Sequence, residues 1–227
     1  MEFSGKTALV TGTSGIGRAA ARRLAQGGAQ VLALGIDPKV NAEMDALAKA
    51  ETLSMATRLC DVSDDTQVAA AVADLIARHG RLDIIVNSAA VHPYGTVLTT
   101  DPATWARCMA VNVGSIYLTA RHGIPHMTGG GAIVNIASVQ GHNCQQNVAA
   151  YVATKGAIHA LTRAMALDHA ESRVRVNSIS PGSVRTPLLS LAARTYGGEG
   201  VTEEQAFARF GAAHPIGRIG EPEEVAD

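Results

Sequence analysis

The chain has 227 residues, 47% of them hydrophobic and 17% charged, which suits one folded domain and excludes a disordered chain. Lysine plus arginine number 19 against 20 aspartates plus glutamates, for a formal charge of −1. No basic surplus therefore argues for nucleic acid, and neither a polybasic run nor an apolar stretch of ~18 residues argues for a membrane.

Apolar β-rich runs alternate with helical patterns along the chain. Thr7–Val10 reads as a buried strand, and a glycine-rich turn leads into a helix over Arg18–Gln26 that Gly27-Gly28 stops. Val31–Leu34 is a second strand, Asn41–Ala50 a helix, Thr57–Cys60 a short third strand, and Asp64–His79 a helix ended by Gly80. Ile84–Val86 is a fourth strand. Asp101-Pro102 then opens one long helix, with Asp as cap and Pro in its first turn. Ala132–Ile136 is a fifth strand, Ala149–Asp168 a strongly periodic helix, and Val174–Ile179 a sixth strand stopped by Pro181-Gly182. Helical pieces follow near Leu188–Arg194 and Glu203–Ala213. The alternation predicts a single α/β domain over 1–227, a three-layer doubly wound parallel sheet with ligands at the carboxyl ends of its strands.

The start, Met1–Lys6, lacks the apolar core of a signal peptide. Cys60, Cys108 and Cys144 are widely spaced, odd in number and form no CxxC pair. Together these features predict a cytoplasmic protein with no disulfide framework and no metal site.

Thr11-Gly12-Thr13-Ser14-Gly15-Ile16-Gly17 joins the first strand to its helix. Glycines there let backbone N–H groups approach a pyrophosphate at the helix N-terminus, although an ordinary strand-to-helix turn reads similarly. Asp37 follows the second strand, about 20 residues beyond, where an acid accepts from a ribose 2′-hydroxyl. It stands equally well as the cap of the turn before Pro38.

Tyr151 and Lys155 fall at i and i+4 on one helix face, so a phenol and an ammonium can share one site. A nearby cation favours phenolate, which makes a base for an alcohol or, protonated, an acid for a carbonyl. Ser138 follows the fifth strand and Asn112 lies in the long helix, where each has an ordinary structural alternative.

In this order and on this scaffold, the residues resemble the short-chain dehydrogenase/reductase family. The match runs from about Lys6 to Asp227 and includes Asp61-Val62, Asn87-Ser88-Ala89-Ala90 and Pro181-Gly182. The resemblance implies a catalytic tetrad. Tyr151 would exchange the proton, Lys155 would hold the nicotinamide ribose and depress the Tyr151 pKa, Ser138 would bind the reacting oxygen, and Asn112 would position a relay water. It also implies a dinucleotide held by Gly12, Ser14, Gly15, Ile16, Gly17 and Asp37 at one end. Asp61 and Val62 would meet the adenine, Asn87 and Ala89 the cofactor near its ribose, and Pro181, Gly182 and Thr186 the nicotinamide end, with Thr186 on the carboxamide. A substrate lid over 183–213 and a homodimer or homotetramer follow from the same likeness.

The sequence departs from the family pattern at several points. The glycine turn is one residue short, Ala90 stands where Gly is usual, and Gly35 occupies the position of the usual discriminating acid. Gly217–Val225 resembles the opening of the family's last helix, beyond which a seventh strand is usual; six strands are legible before Asp227. The loops expected around the substrate are polar, with Tyr94, Asn143 and Gln146 nearby and His92, Gln140, His142 and Gln145 as the substrate candidates. Such a lining suits a hydroxyl-rich molecule, because an unpaired buried polar group costs about 1–3 kcal/mol. The expected activity is interconversion of a secondary alcohol, such as a sugar or cyclic polyol, and its ketone. NAD is expected over NADP, without excluding NADP. An NADPH-dependent carbonyl reductase and a non-catalytic dinucleotide-binding sensor or scaffold are the alternatives.

Overall fold

The computed structural model describes residues 1–227. Its centre is a parallel six-stranded sheet in the order β3-β2-β1-β4-β5-β6: β1 Thr7–Thr11, β2 Gln30–Gly35, β3 Met55–Leu59, β4 Ile84–Asn87, β5 Gly131–Ile136 and β6 Val174–Ile179. The chain runs outward from β1 to β3, then returns to lay β4 against the other side of β1. That reversal opens a crevice at the carboxyl ends of β1 and β4, where such sheets bind ligands.

Strand alternation divides the core. Leu9, Leu32 and Ile85 point into one apolar layer, which also holds Val68, Val72, Ile116 and Ile158. Their neighbours Ala8, Val10, Val31 and Ala33 point into the other, against Ala21, Leu24 and Met44. A sheet buried on both faces needs apolar residues at consecutive positions, which is why β1 and β2 read as continuous apolar runs. Helices α1 (Gly15–Gln26) and α2 (Pro38–Ala50) cover one face, and α3 (Asp65–His79) lies on the other. Gly80 closes α3 in the left-handed conformation, at φ 72°.

The helix expected from Pro102 onward is not continuous. It runs as α4 (Pro102–Met109), a π-helical turn over Ala110–Gly114, and α5 (Ser115–Gly123). The wide turn places Asn112 at its middle, and such turns are frequent at functional sites. Helix α6 (Ala149–Asp168) has the bounds expected and packs against β6. Beyond β6, α7 (Pro187–Tyr196) and α8 (Glu203–Ala212) share a small apolar cluster of Ala193, Ala206, Phe207 and Ile219, separate from the sheet core. The short helix α9 (Pro222–Ala226) packs against α1.

Candidate active site

A cavity of about 810 Å³ opens over the carboxyl ends of the strands. A smaller one of about 410 Å³ lies along β3, lined by Leu53–Arg58 and the end of α3, far in sequence from the glycine turn and from α6. The chemistry-bearing residues collect at the larger cavity.

Its floor at one end is the glycine turn. Gly12 and Gly15 have φ of 92° and 50°, so the turn doubles back in one residue fewer than the family pattern. Gly12, Ser14, Gly15 and Ile16 line the cavity. Gly17 does not; it packs beneath the turn, where a Cβ would strike the Gly12 carbonyl. No side chain caps the start of α1, because Ser14 makes no capping bond. The first N–H groups and the positive end of the helix dipole therefore face the cavity, as an anionic diphosphate requires. At Gly12 a Cβ would touch the Ala89 backbone at 3.4 Å, and at Gly15 it would press on Thr186 Cγ2 at 2.8 Å. These residues fit a dinucleotide: they keep bare backbone where phosphate must approach.

Asp37 lines the cavity and also caps α2, its Oδ1 accepting from the Lys39 and Val40 amides at 2.8 and 3.3 Å. The two sequence readings of this residue are thus compatible. Gly35 has no room for an acid, since a Cβ there would collide with Asn41 Oδ1 and Thr13 Oγ1. Asp61 and Val62 line the wall, but the Asp61 carboxylate is occupied: Arg107 Nη1 donates to its Oδ2 at 2.9 Å, and the Ser63 hydroxyl donates to its Oδ1 at 2.7 Å. Those bonds hold the Asp61 carboxyl below its usual pKa against the opposing effect of burial. Arg107 lines the same wall and escaped the sequence reading, because it meets Asp61 only across the fold.

Two of the expected site residues do not line the cavity. The Asn87 side chain turns into the interior: Thr119 Oγ1 donates to its Oδ1 at 2.8 Å, and its Nδ2 donates to Asn135 Oδ1 at 2.9 Å. Ala89 reaches the cavity instead. His142 lies outside the cavity lining and stacks on His159, with ring centroids 4.2 Å apart. Gln140 and Gln145 do line it, as do His92, Pro181, Gly182 and Thr186. Tyr94 and Tyr196 add aromatic rings, packed edge to face at 5.0 Å.

At the other end stand Tyr151, Lys155 and Ser138, all buried and all on the cavity. Lys155 Nζ donates to the Ile136 carbonyl at 2.8 Å and sits 5.3 Å from the centre of the Tyr151 ring. Burial pushes the Lys155 ammonium down to about 8. Burial also pushes the Tyr151 phenol up to about 12, against a smaller downward pull from the Ser138 hydroxyl. The downward pull on the Tyr151 phenol comes from Ser138 and not from Lys155, and desolvation exceeds it. Asn112 lies behind this group. Its Oδ1 accepts from the Val91 amide at 2.8 Å, and its Nδ2 donates to the Val91 carbonyl and to Thr154 Oγ1, each at 3.0 Å.

The family model described as enoyl-(acyl carrier protein) reductase matches residues 10–227. A 2-keto-3-deoxy-L-fuconate dehydrogenase of Xanthomonas campestris pv. campestris is 37% identical over 99% of this chain and 72% of its own length. An L-fucose dehydrogenase of Bos taurus is 38% identical over 99% of this chain and 81% of its own. The solved structure of an actinorhodin polyketide ketoreductase variant with NADPH superposes with a TM-score of 0.93 at 31% identity, covering 100% of this chain and 88% of that one.

Proposed function

This chain belongs to the short-chain dehydrogenase/reductase family, and on that footing we propose that its large cavity binds a nicotinamide dinucleotide and interconverts a secondary alcohol and its ketone, with a sugar or cyclic polyol as substrate. The observation that carries this reading is the buried Tyr151–Lys155 pair beside Ser138, open to the same cavity as the uncapped start of α1.

When bound, the dinucleotide supplies the two-electron acceptor or donor at the carbinol carbon. The chain's own residues manage the oxygen and its proton. Ser138 donates to the substrate oxygen and fixes it beside Tyr151. In the oxidative direction the Tyr151 oxygen takes the hydroxyl proton; in the reductive direction it returns it. Lys155, held on the Ile136 carbonyl, places a cation 5.3 Å from the phenol ring and opposes the cost of a buried phenolate. Asn112 clamps the Val91 backbone to α6 through Thr154. Residues 183–213, which carry α7 and α8, form the lid, and Arg185 at its base pairs with Glu204 and Glu221.

The preferred cofactor is NAD, read by Asp37. The protein is cytoplasmic, in keeping with three unpaired cysteines, and no helix is long and apolar enough to cross a membrane. It forms a homodimer or homotetramer, in keeping with the exposed Trp105, Tyr117 and Leu167 on its outer helices.

Calorimetric titration with NAD and NADP, followed by turnover of a polyol panel read as NADH absorbance, tests the reading. Saturable dinucleotide binding with turnover of at least one secondary alcohol is expected. Binding without turnover of any alcohol or ketone overturns it.

A further inference from the structure

A histidine from just beyond the lid covers a bare stretch of the cavity wall. The Gly182 backbone lies under the ring of His214, which follows α8, and a Cβ at Gly182 would meet His214 Cε1 at 2.6 Å. The next amide, Ser183 N–H, donates to His214 Nε2 at 3.1 Å. Gly182, Ser183 and His214 all line the cavity. Because Nε2 accepts, it carries no proton, and the ring is neutral in this contact. The Ser183 carbonyl is held as well, accepting from the Gly220 amide at 2.9 Å. Both polar backbone groups of Ser183 are thus gripped by residues 214–220, a segment that turns back against α8 where Arg218 meets Gly211. His214 is itself fixed at both ends: its amide donates to the Gly211 carbonyl and its carbonyl accepts from the Gly217 amide, each at 2.9 Å.

That grip reaches the reacting end. Ala137 N–H donates to the Ile179 carbonyl at 2.8 Å, and Val139 N–H donates to the Pro181 carbonyl at 3.1 Å. The chain after β5 and the chain after β6 therefore stay side by side, with Ser138 between the two bonds and Ser183 two residues past the second. A hydride passes between a nicotinamide ring and a carbinol carbon only when the two are in contact, so the wall beside Ser138 is the one that must seat the ring.

We propose that His214 is a positioning residue for the nicotinamide end of the cofactor: by holding Ser183 it fixes the Pro181–Ser183 wall against the Ser138 turn. The proposal rests on the dinucleotide reading of the cavity and adds to it a residue that acts through the Ser183 backbone. A histidine suits this place on two counts. Its flat ring fits over a residue without a Cβ, and its ring nitrogen gives the Ser183 amide an acceptor. An aliphatic side chain would fill the same space and leave that amide unpaired, free to turn away from the wall.

The test is calorimetric titration of the full chain with NAD and with ADP-ribose, which is NAD without the nicotinamide ring. His214→Phe keeps a flat ring and removes the acceptor. The ratio of NAD affinity to ADP-ribose affinity should fall about two- to tenfold in this variant, the range of one neutral hydrogen bond, with ADP-ribose affinity unchanged. His214→Asn, whose amide is too short to reach the Ser183 amide, should lower the ratio in the same way. His214→Gln, which places an amide oxygen near the position of Nε2, should restore it. A ratio unmoved in the Phe and Asn variants overturns the proposal alone. So does a parallel loss of both affinities, the mark of a merely structural role, and so does a Gln variant no better than Asn. A wild type that binds neither ligand overturns the dinucleotide reading with it. A wild type that binds NAD, shows the expected ratios and turns over no alcohol or ketone overturns the dehydrogenase reading and leaves the role of His214 standing.

Discussion

A hydrogen bond of 3.0 Å runs from Asn112 Nδ2 to Thr154 Oγ1, and the same Thr154 hydroxyl donates to the Tyr151 carbonyl at 2.6 Å. The π turn that carries Asn112 is thereby fastened to the turn of α6 that lies between Tyr151 and Lys155. Asn112 also holds both polar backbone groups of Val91, so one buried amide joins the segment after β4 to the catalytic helix.

Removing Thr154 Oγ1 tests that clamp. Thr154→Val keeps the shape but leaves a buried Asn112 N–H without an acceptor, at a cost of about 1–3 kcal/mol. Thermal unfolding should register that loss. Because the displaced groups position Tyr151 and do not touch a dinucleotide, kcat should fall severalfold with cofactor affinity preserved. Unchanged kcat alongside lowered stability would make the clamp structural only.

Tyr151→Phe retains the ring that packs on His92 and removes the hydroxyl proposed to carry the proton. Turnover should fall by at least about two orders of magnitude, the usual contribution of a general acid or base, and calorimetric cofactor affinity should change little. In the wild type the phenol is pushed up to about 12 and the ammonium of Lys155 down to about 8, both by burial. Oxidation needs the deprotonated phenol, so kcat/KM for the alcohol should rise through the alkaline range, while ketone reduction, which needs the proton, should fall there. Profiles with the same slope in both directions would place the proton on another group.

The apolar runs of β1 and β2 announced their strands because both faces of the sheet are covered, and burial on two faces leaves no room for a polar alternation. The pairing of Tyr151 with Lys155 was legible for a similar reason: i, i+4 spacing fixes a shared helix face before any tertiary contact forms. What escaped the sequence depends on contacts between distant segments. Nothing in Val111-Asn112-Val113 signals a π turn, since its apolar pattern fits an ordinary helix. Asn87 and Ala89 are two residues apart at the end of β4, and only the Thr119 and Asn135 partners decide that Asn87 turns inward. His142 looked like a cavity residue by its place in a polar loop, but His159 offers it a stacking surface from α6. Arg107 sits in α4 and Asp61 in the loop before α3, 46 residues apart, and their pairing has no local signature.

His92 should make stability depend on acid. Its folded pKa, lowered to about 4 by burial, lies below the ordinary imidazole value of 6.5, so the unfolded chain binds the proton more readily between those limits. Stability from this group is complete above pH 6.5 and declines as pH falls toward 4. At about 1.4 kcal/mol per pH unit the decline is at most about 3 kcal/mol. Unfolding midpoints of the wild type and His92→Gln, followed across that range, should converge as pH falls. Parallel curves would mean that His92 titrates alike in both states.

In the proposed reading Asp37 selects the cofactor, and its two carboxylate oxygens stand in different environments. Oδ1 accepts both amide bonds that cap α2, while Oδ2 has no hydrogen-bond partner and remains free to accept from ribose hydroxyls. No acid can replace it at Gly35, because Asn41 and Thr13 fill the space a Cβ would need. Asp37→Ser keeps a capping oxygen and removes the charge, whereas Asp37→Ala removes both. Asp37→Ala should therefore lower stability by about 1 kcal/mol, the ordinary value of a lost N-cap, while Asp37→Ser should leave it nearly unchanged. Both should raise NADP affinity relative to NAD by tenfold or more, since a charge-assisted bond to the ribose is worth about 1.5–3 kcal/mol and repulsion of the 2′-phosphate adds to it. Calorimetric titration of each variant with both dinucleotides reads this without recourse to turnover. A wild type that binds both equally, or a ratio unmoved in Asp37→Ser, would reduce Asp37 to a helix cap and place cofactor selection elsewhere on the wall.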